Sequence, residues 1–116
     1  NAISLLKERG AAIRAKKGNR TLGAGVVFSY VHTGERVGVM LELLSETDFV
    51  AKNPEFKGVA KDIAMHIAAM NPTSTTELFE QPFIKDPNQK IGDIINNTVQ
   101  KFGERIEVGQ FVRFSI

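Results

Sequence analysis

The sequence predicts a small α+β fold, in which a three-stranded antiparallel sheet carries two helices on one of its faces. Three runs of apolar residues alternate with polar or small ones, which is typical of strands that bury one face. Between the second and third runs, two segments repeat apolar residues at three-to-four spacing, which is typical of amphipathic helices. The order strand, strand, helix, helix, strand fits one layer of helices on one sheet.

The first two strands are predicted to form a hairpin. Val26–His32 is rich in valine and aromatic residues, and these favour strands. In the second strand, one face carries the apolar residues Val37, Val39, Leu41 and Leu43. They alternate with Arg36, Gly38, Met40 and Glu42. Gly34 lies in the short connection between the strands and can adopt the positive φ that a tight turn needs.

The first long helix has clear signals at both ends. Asn53 is a good N-cap, Pro54 is compatible with the first helical position, and Glu55 complements the positive end of the helix dipole. Asn71 precedes Pro72, and a residue before proline is biased away from helical geometry. The predicted apolar stripe consists of Phe56, Val59, Ala60, Ile63, Ile67 and Met70.

The rest of the chain is predicted to hold a linker, a second helix and a last strand. Phe79–Asp86 is interpreted as an extended linker or short strand, and the last strand covers about Arg105–Ile116. Gly103 ends the second helix. The apolar stripe of this helix is Ile91, Ile94, Ile95, Val99 and Phe102.

The sheet face away from the helices is predicted to be partly apolar. Strand parity places five residues outside the helix-covered face, namely Val27, Val31, Met40, Leu44 and Phe111. A small monomer seldom exposes such a surface to water. We therefore expect self-association or docking onto a partner.

A short helix and a basic linker are predicted to precede this core. Apolar residues at Ile3, Leu6 and Ile13 have helical spacing, and Arg14–Arg20 is rich in lysine and arginine. We divide the chain into a remnant of a helical domain over residues 1–22 and a core domain over residues 23–116.

Composition excludes several classes of function. The chain has 116 residues, no cysteine and a formal net charge of +2, which is compatible with one modest core. Nothing resembles a membrane helix or a secretion leader, so the expected location is the cytoplasm or the interior of an organelle. His32 and His66 are far apart in sequence, and no nucleotide-binding or catalytic motif is found. We expect no metal, no cofactor and no enzymatic activity.

Two features have ordinary structural interpretations. His66 lies at the edge of the apolar stripe of the first long helix, and no second ligand is spaced with it. The basic run Arg14–Arg20 could hold phosphates, but such runs more often form solvated linkers. No aromatic residue interleaves it, so bases would find no stacking platform.

The segment between the second strand and the first long helix is the strongest candidate site. It contains Thr47, Asp48, Phe49 and Val50, an acidic residue beside a large aromatic one. Spacing alone favours an ordinary loop, in which Asp48 caps a turn and Phe49 folds back onto the core. The alternative is a projecting tip that contacts a partner.

Several separate motifs resemble one known family, bacterial-type translation elongation factor Ts. They are V-G-V-M-L-E-L-L-S-E-T-D-F-V-A-K-N-P-E-F from Val37, D-I-A-M-H-I-A-A-M-N-P from Asp62, E-Q-P-F-I-K-D from Glu80, and F-V-R-F from Phe111, with the hairpin Y-V-H-T-G-E-R-V-G-V from Tyr30. Together they cover nearly everything from Gly25 onward, in the order that the family shows.

The resemblance implies guanine-nucleotide exchange on elongation factor Tu, a GTPase. Carried over by motif, Thr47, Asp48, Phe49 and Val50 are the residues that reach toward the magnesium site of the partner. Family members with one core subdomain pair as homodimers, so we expect a homodimer too. The resemblance implies no direct contact with nucleic acid and no membrane.

The sequence departs from the family pattern in two places. Ala2–Gly10 resembles only the last helix of a three-helix N-terminal domain, and Thr73–Phe79 is shorter than the helical segment expected there. Two alternatives stay open. One is a ribosome-associated or RNA-binding module, for which the basic run Arg14–Arg20 and the basic pI are the motivation. The other is a structural relative without exchange activity, which gains weight if the N-terminal domain is missing.

Overall fold

The computed structural model describes residues 22–116, so the predicted N-terminal helix and the basic run Arg14–Arg20 lie outside the described residues. Within the described part of the chain, none of the helices combines the length and apolar character that a membrane span requires. The elements in chain order are β1 (Ala24–Val31), β2 (Val37–Ser45), α1 (Asp48–Ala51), α2 (Pro54–Met70), α3 (Thr75–Glu80), β3 (Pro82–Phe83), β4 (Asp86–Lys90), α4 (Ile91–Phe102) and β5 (Glu107–Ser115).

The predicted three-stranded antiparallel sheet is confirmed, with the strand order β1-β2-β5. At the hairpin between β1 and β2, the backbone N–H of His32 donates to the carbonyl of Val37 at 2.9 Å. Gly34 has a φ of 96°, as the turn prediction requires. Glu35 also has a positive φ, 61°, which the sequence did not indicate.

Helix α2 forms the layer against the sheet, and its ends follow the predicted signals. The Asn53 side chain accepts a hydrogen bond from the N–H of Glu55 at 2.8 Å, and Pro54 is the first helical residue. Asn71 ends the helix in the left-handed conformation. The buried apolar side chains of this layer are Phe56, Ala60, Ile63, Ala64 and Ile67 from α2, and Val39, Leu41 and Leu43 from β2.

Helix α4 lies beside α2 and completes the core. Its buried side chains include Ile91, Ile95 and Val99. The ring of Phe102 meets that of Phe56 edge-on, with 6.5 Å between ring centroids. Because α4 contributes one apolar face, it closes the side of the core that α2 leaves open.

The prediction of one extended segment over Phe79–Asp86 is wrong at its start. Phe79 lies in helix α3, and the extended structure is the small hairpin of β3 and β4. The helix begins here because the Ser74 hydroxyl accepts a hydrogen bond from the N–H of Glu77 at 3.1 Å, a capping pattern that the sequence reading overlooked.

The placement of Phe111 outside the helix-covered face is also wrong. Leu41 pairs with Phe111 but Leu43 pairs with Val108, so β5 carries one extra residue opposite Glu42. This β-bulge reverses the alternation of β5 from that point onward. Phe111 therefore packs against the core, while Val112 and Phe114 face away from the helices.

The outer face of the sheet is partly apolar, as predicted, with a corrected set of apolar residues; Ser29 and Glu42 pair with Met40 and Val27 on the same face. Leu44 is only half-buried there, and 72% of the Phe114 side chain is exposed. We call this surface the open face and define it by its exposed apolar residues Val27, Val31, Met40, Val112 and Phe114.

His66 is a buried structural residue of α2. The N–H of Ile84 donates to Nδ1 at 3.3 Å, so Nε2 carries the proton and donates to the Oε1 atom of Gln81 at 2.8 Å. Burial lowers the pKa of His66 below 6.5, and the hydrogen bond to Gln81 opposes this only in part. The neutral imidazole joins α2 to Gln81 and Ile84, the residues on either side of β3.

We predict that the free energy of unfolding decreases as the pH falls below 6.5, the ordinary histidine pKa. The unfolded chain then takes up a proton at His66 before the native protein does, and the loss is complete below the lowered pKa of the native state. Urea titrations on both sides of that pH would show the decrease. His66→Gln should lose this part of the pH dependence, whereas His32→Gln, at an exposed histidine, should keep it; equal slopes in all three proteins would contradict the assignment.

Candidate functional site

The candidate site is the turn that connects β2 to α2. We call residues Thr47, Asp48, Phe49 and Val50 the tip, and they form one sequence-continuous group at the start of α1. Thr47 is extended, with φ −128° and ψ 153°, and its hydroxyl oxygen accepts a hydrogen bond from the N–H of Val50 at 3.4 Å. This N-cap converts the end of a strand into a single helical turn.

The side chains of the tip point in different directions. Val50 and Ala51 are buried in the core, while 83% of the Phe49 side chain is exposed. Successive residues of a helix are about 100° apart around its axis, so one turn that buries Val50 and Ala51 directs Phe49 outward. Of the two alternatives left open by the sequence, the fold-back of Phe49 is not observed, and Val50 is the apolar residue that anchors the turn.

The base of the tip is held by Glu104, which follows the glycine that ends α4. Its Oε1 atom accepts hydrogen bonds from the backbone N–H groups of Glu46 at 3.2 Å and of Thr47 at 3.1 Å. Its Oε2 atom accepts one from the Thr47 hydroxyl at 2.7 Å. Bonds to a carboxylate are stronger than bonds between neutral groups. The tip is thus tied to a distant loop as well as to its neighbours in sequence.

Two further contacts hold the same region. The backbone N–H of Arg105 donates to the carboxylate of Glu46, so each loop supplies a side chain to the backbone of the other. The buried Ser45 hydroxyl donates to the carbonyl of Thr47 at 3.0 Å. Sequence reasoning missed Ser45 and Glu104, because neither belongs to a local pattern that indicates contact with the tip.

The surroundings of the tip are suited to contact with another macromolecule. An open groove of about 340 Å³ lies beside it, with Glu42 and Asp48 among the residues of its wall. Among residues 22–116, no group of three or more metal-ligating side chains is assembled. The arrangement offers an exposed ring, an exposed carboxylate and a fixed backbone. These are features that a binding surface can use.

We predict that Phe49→Ala changes the free energy of unfolding by no more than about 0.5 kcal/mol, because the ring makes little contact with its own core. The matched substitution Phe56→Ala should destabilise the protein by about 3 to 5 kcal/mol, because the Phe56 side chain is 0% exposed. Urea unfolding of both variants measures the contrast. A large loss of stability in Phe49→Ala would show that this ring belongs to the core.

Comparison with known proteins assigns the chain to a family. The sequence model described as Elongation factor TS matches residues 1–77. Elongation factor Ts of Thermodesulfovibrio yellowstonii is 38% identical, over 99% of this chain and 79% of the relative. The proteins of the same name from Desulforamulus reducens and Rubrobacter xylanophilus are 36% and 34% identical, over 74% and 82% of their lengths.

The alignment with the Desulforamulus reducens protein extends over 160 positions, more than the 116 residues of this chain. The relative therefore carries residues within the aligned span that this chain lacks. The resemblance seen in the hairpin, tip and helix motifs is confirmed by these matches. The chain belongs to the elongation factor Ts family of translation elongation factors.

Proposed function

We propose that this protein promotes the release of GDP from elongation factor Tu, with the tip as the part that enters the partner. The observation that carries the proposal is the outward Phe49 ring, 83% exposed, on a turn whose other apolar residues are buried. A large aromatic side chain held in water on a fixed turn is the form expected of a group that is buried on binding. The proposed setting is translation in the cytoplasm or inside an organelle.

The proposed mechanism is displacement, with no covalent bond made or broken by this protein. Phe49 has few rotatable bonds, so it can enter between elements of the partner at a small entropic cost. The elements that it displaces no longer hold the groups around the magnesium ion. Asp48 brings acceptor oxygens and negative charge close to that cation. The phosphates of GDP then lose their counter-charge, and the nucleotide dissociates.

Burial of the Phe49 ring alone does not supply enough free energy for fast nucleotide exchange. An acceleration of about 10⁴-fold corresponds to about 5.5 kcal/mol of preferential stabilisation of the exchange transition state. Burial of one phenylalanine supplies about 1.5 to 3 kcal/mol. Other parts of the interface must supply the rest. By linkage, bound GDP weakens the affinity of this protein for the partner by the same factor by which this protein weakens the affinity of the partner for GDP.

We predict that Phe49→Ala slows the stimulated release of labelled GDP from elongation factor Tu by about 10- to 100-fold, the factor that corresponds to the lost burial. The measurement is the release rate as a function of the concentration of this protein. Met70→Ala is the matched control, since Met70 is an exposed apolar residue at the far end of α2, roughly 25 Å from the start of that helix. Release by Phe49→Ala at the parental rate would refute the role of the ring.

We further propose that two copies associate through the open face. Its five exposed apolar residues lie on neighbouring strands of one sheet, with Met40 of β2 paired with Val112 of β5. Because so many exposed apolar side chains on one face are costly in water, a second copy of the same face is a suitable cover. The tip lies at the end of β2, beyond the strand residues that carry this face.

We predict that Met40→Glu converts a dimeric protein into a monomer, because the new charge would be buried between two apolar sheets. Sedimentation equilibrium gives the mass directly. Ala69→Glu adds the same charge at an exposed position on the helix side and should leave the dimer intact. A parent protein that sediments as a monomer would contradict the proposal.

A further inference from the structure

We propose that Glu104 is a positioning residue of the tip, which sets the direction in which Phe49 is presented. This inference rests on the proposed function for its consequence in nucleotide exchange. Its structural content is independent of any partner: three donors of the tip region converge on this one carboxylate.

The position of these donors explains why an acceptor is needed there. Strand β2 ends at Ser45, so the N–H groups of Glu46 and Thr47 lie beyond the ladder that satisfies the strand. Helix α1 begins only at Asp48. The two N–H groups belong to neither element, and the Oε1 atom of Glu104 accepts from both. A side chain therefore takes the place of the missing backbone partner.

Glu104 acts on Phe49 through Thr47. The Thr47 hydroxyl accepts from the N–H of Val50 and donates to the Oε2 atom of Glu104, so one rotamer satisfies both bonds. Loss of the carboxylate frees this rotamer and with it the N-cap of a helix of four residues. Phe49 makes little contact with the core, so its direction is set by this backbone.

The segment that carries Glu104 is also fixed by contacts of its own. Gly103 ends α4 with a positive φ of 68°, which turns the chain toward the tip. The N–H of Arg105 donates to the Glu46 carboxylate. The segment after β2 and the segment after α4 are thus hydrogen-bonded in both directions, which holds the backbone that carries Glu104 close to the tip.

The first test uses the protein without a partner. In Glu104→Ala, the amide hydrogens of Glu46 and Thr47 should exchange with solvent about tenfold faster or more, because their charged acceptor is gone. Glu104→Gln retains an acceptor oxygen and should show a smaller increase. Glu80→Ala removes a surface carboxylate that bonds Lys90 and should leave both amides unchanged. Parental exchange of these amides in Glu104→Ala would overturn the proposal.

The second test separates positioning from stability. In stimulated GDP release, Glu104→Ala should lower the maximal rate about tenfold, while the concentration for half-maximal effect changes by less than about threefold. Glu104→Gln should lie between this variant and the parent. If Glu104 only stabilised the fold, Glu104→Ala would lower the unfolding temperature but leave the maximal rate of the folded protein unchanged. That result would overturn the proposal.

The two tests also distinguish failure of this inference from failure of the proposed function. If the parent does not accelerate GDP release, the proposed function is wrong, and amide exchange still decides whether Glu104 orders the tip. If Glu104→Ala does not fold, Glu104→Gln decides the question, because it keeps the shape of the side chain and changes only its charge and one acceptor. Parental amide exchange and a parental maximal rate in Glu104→Gln would then count against the proposal.

Discussion

The contact between the Glu104 carboxylate and the base of the tip is the interaction on which the functional geometry depends. It joins the segment that follows α4 to the segment that follows β2. The two bonded residues, Thr47 and Glu104, lie 57 residues apart in sequence. Burial of Val50 packs the turn against the core, and the hydrogen bonds to Glu104 hold its first residue, Thr47. The exposed ring of Phe49 is thereby held in water on a turn of defined direction, at little cost to the core.

Much of the fold followed from the sequence because its signals are local. The cap at Asn53, the proline after it and the apolar spacing of α2 are set within a few residues, and the structure shows each of them. The error at Phe111 has the opposite origin. A β-bulge is a feature of the pairing between two strands, so alternation within β5 could not reveal that its parity reverses opposite Glu42.

The candidate site was only partly accessible to sequence reasoning. The motif that resembles the family identified the four tip residues, but spacing alone favoured a loop with Phe49 turned inward. The decisive fact is that Val50 and Ala51 occupy the inner side of one helical turn, which depends on tertiary packing. Glu104 could not be found from sequence, since a single glutamate after a helix-ending glycine carries no signal of its distant partner.

We propose that the ring of Phe49 is the part of this protein that enters the nucleotide-binding region of elongation factor Tu. The most direct measurement replaces Phe49 with photoreactive benzoylphenylalanine and identifies the residues that it labels in the GDP-free complex. If Phe49 enters the partner as proposed, the label will be found on segments that border the magnesium site. Labelling of a surface remote from the nucleotide, with the complex formed normally, would contradict it.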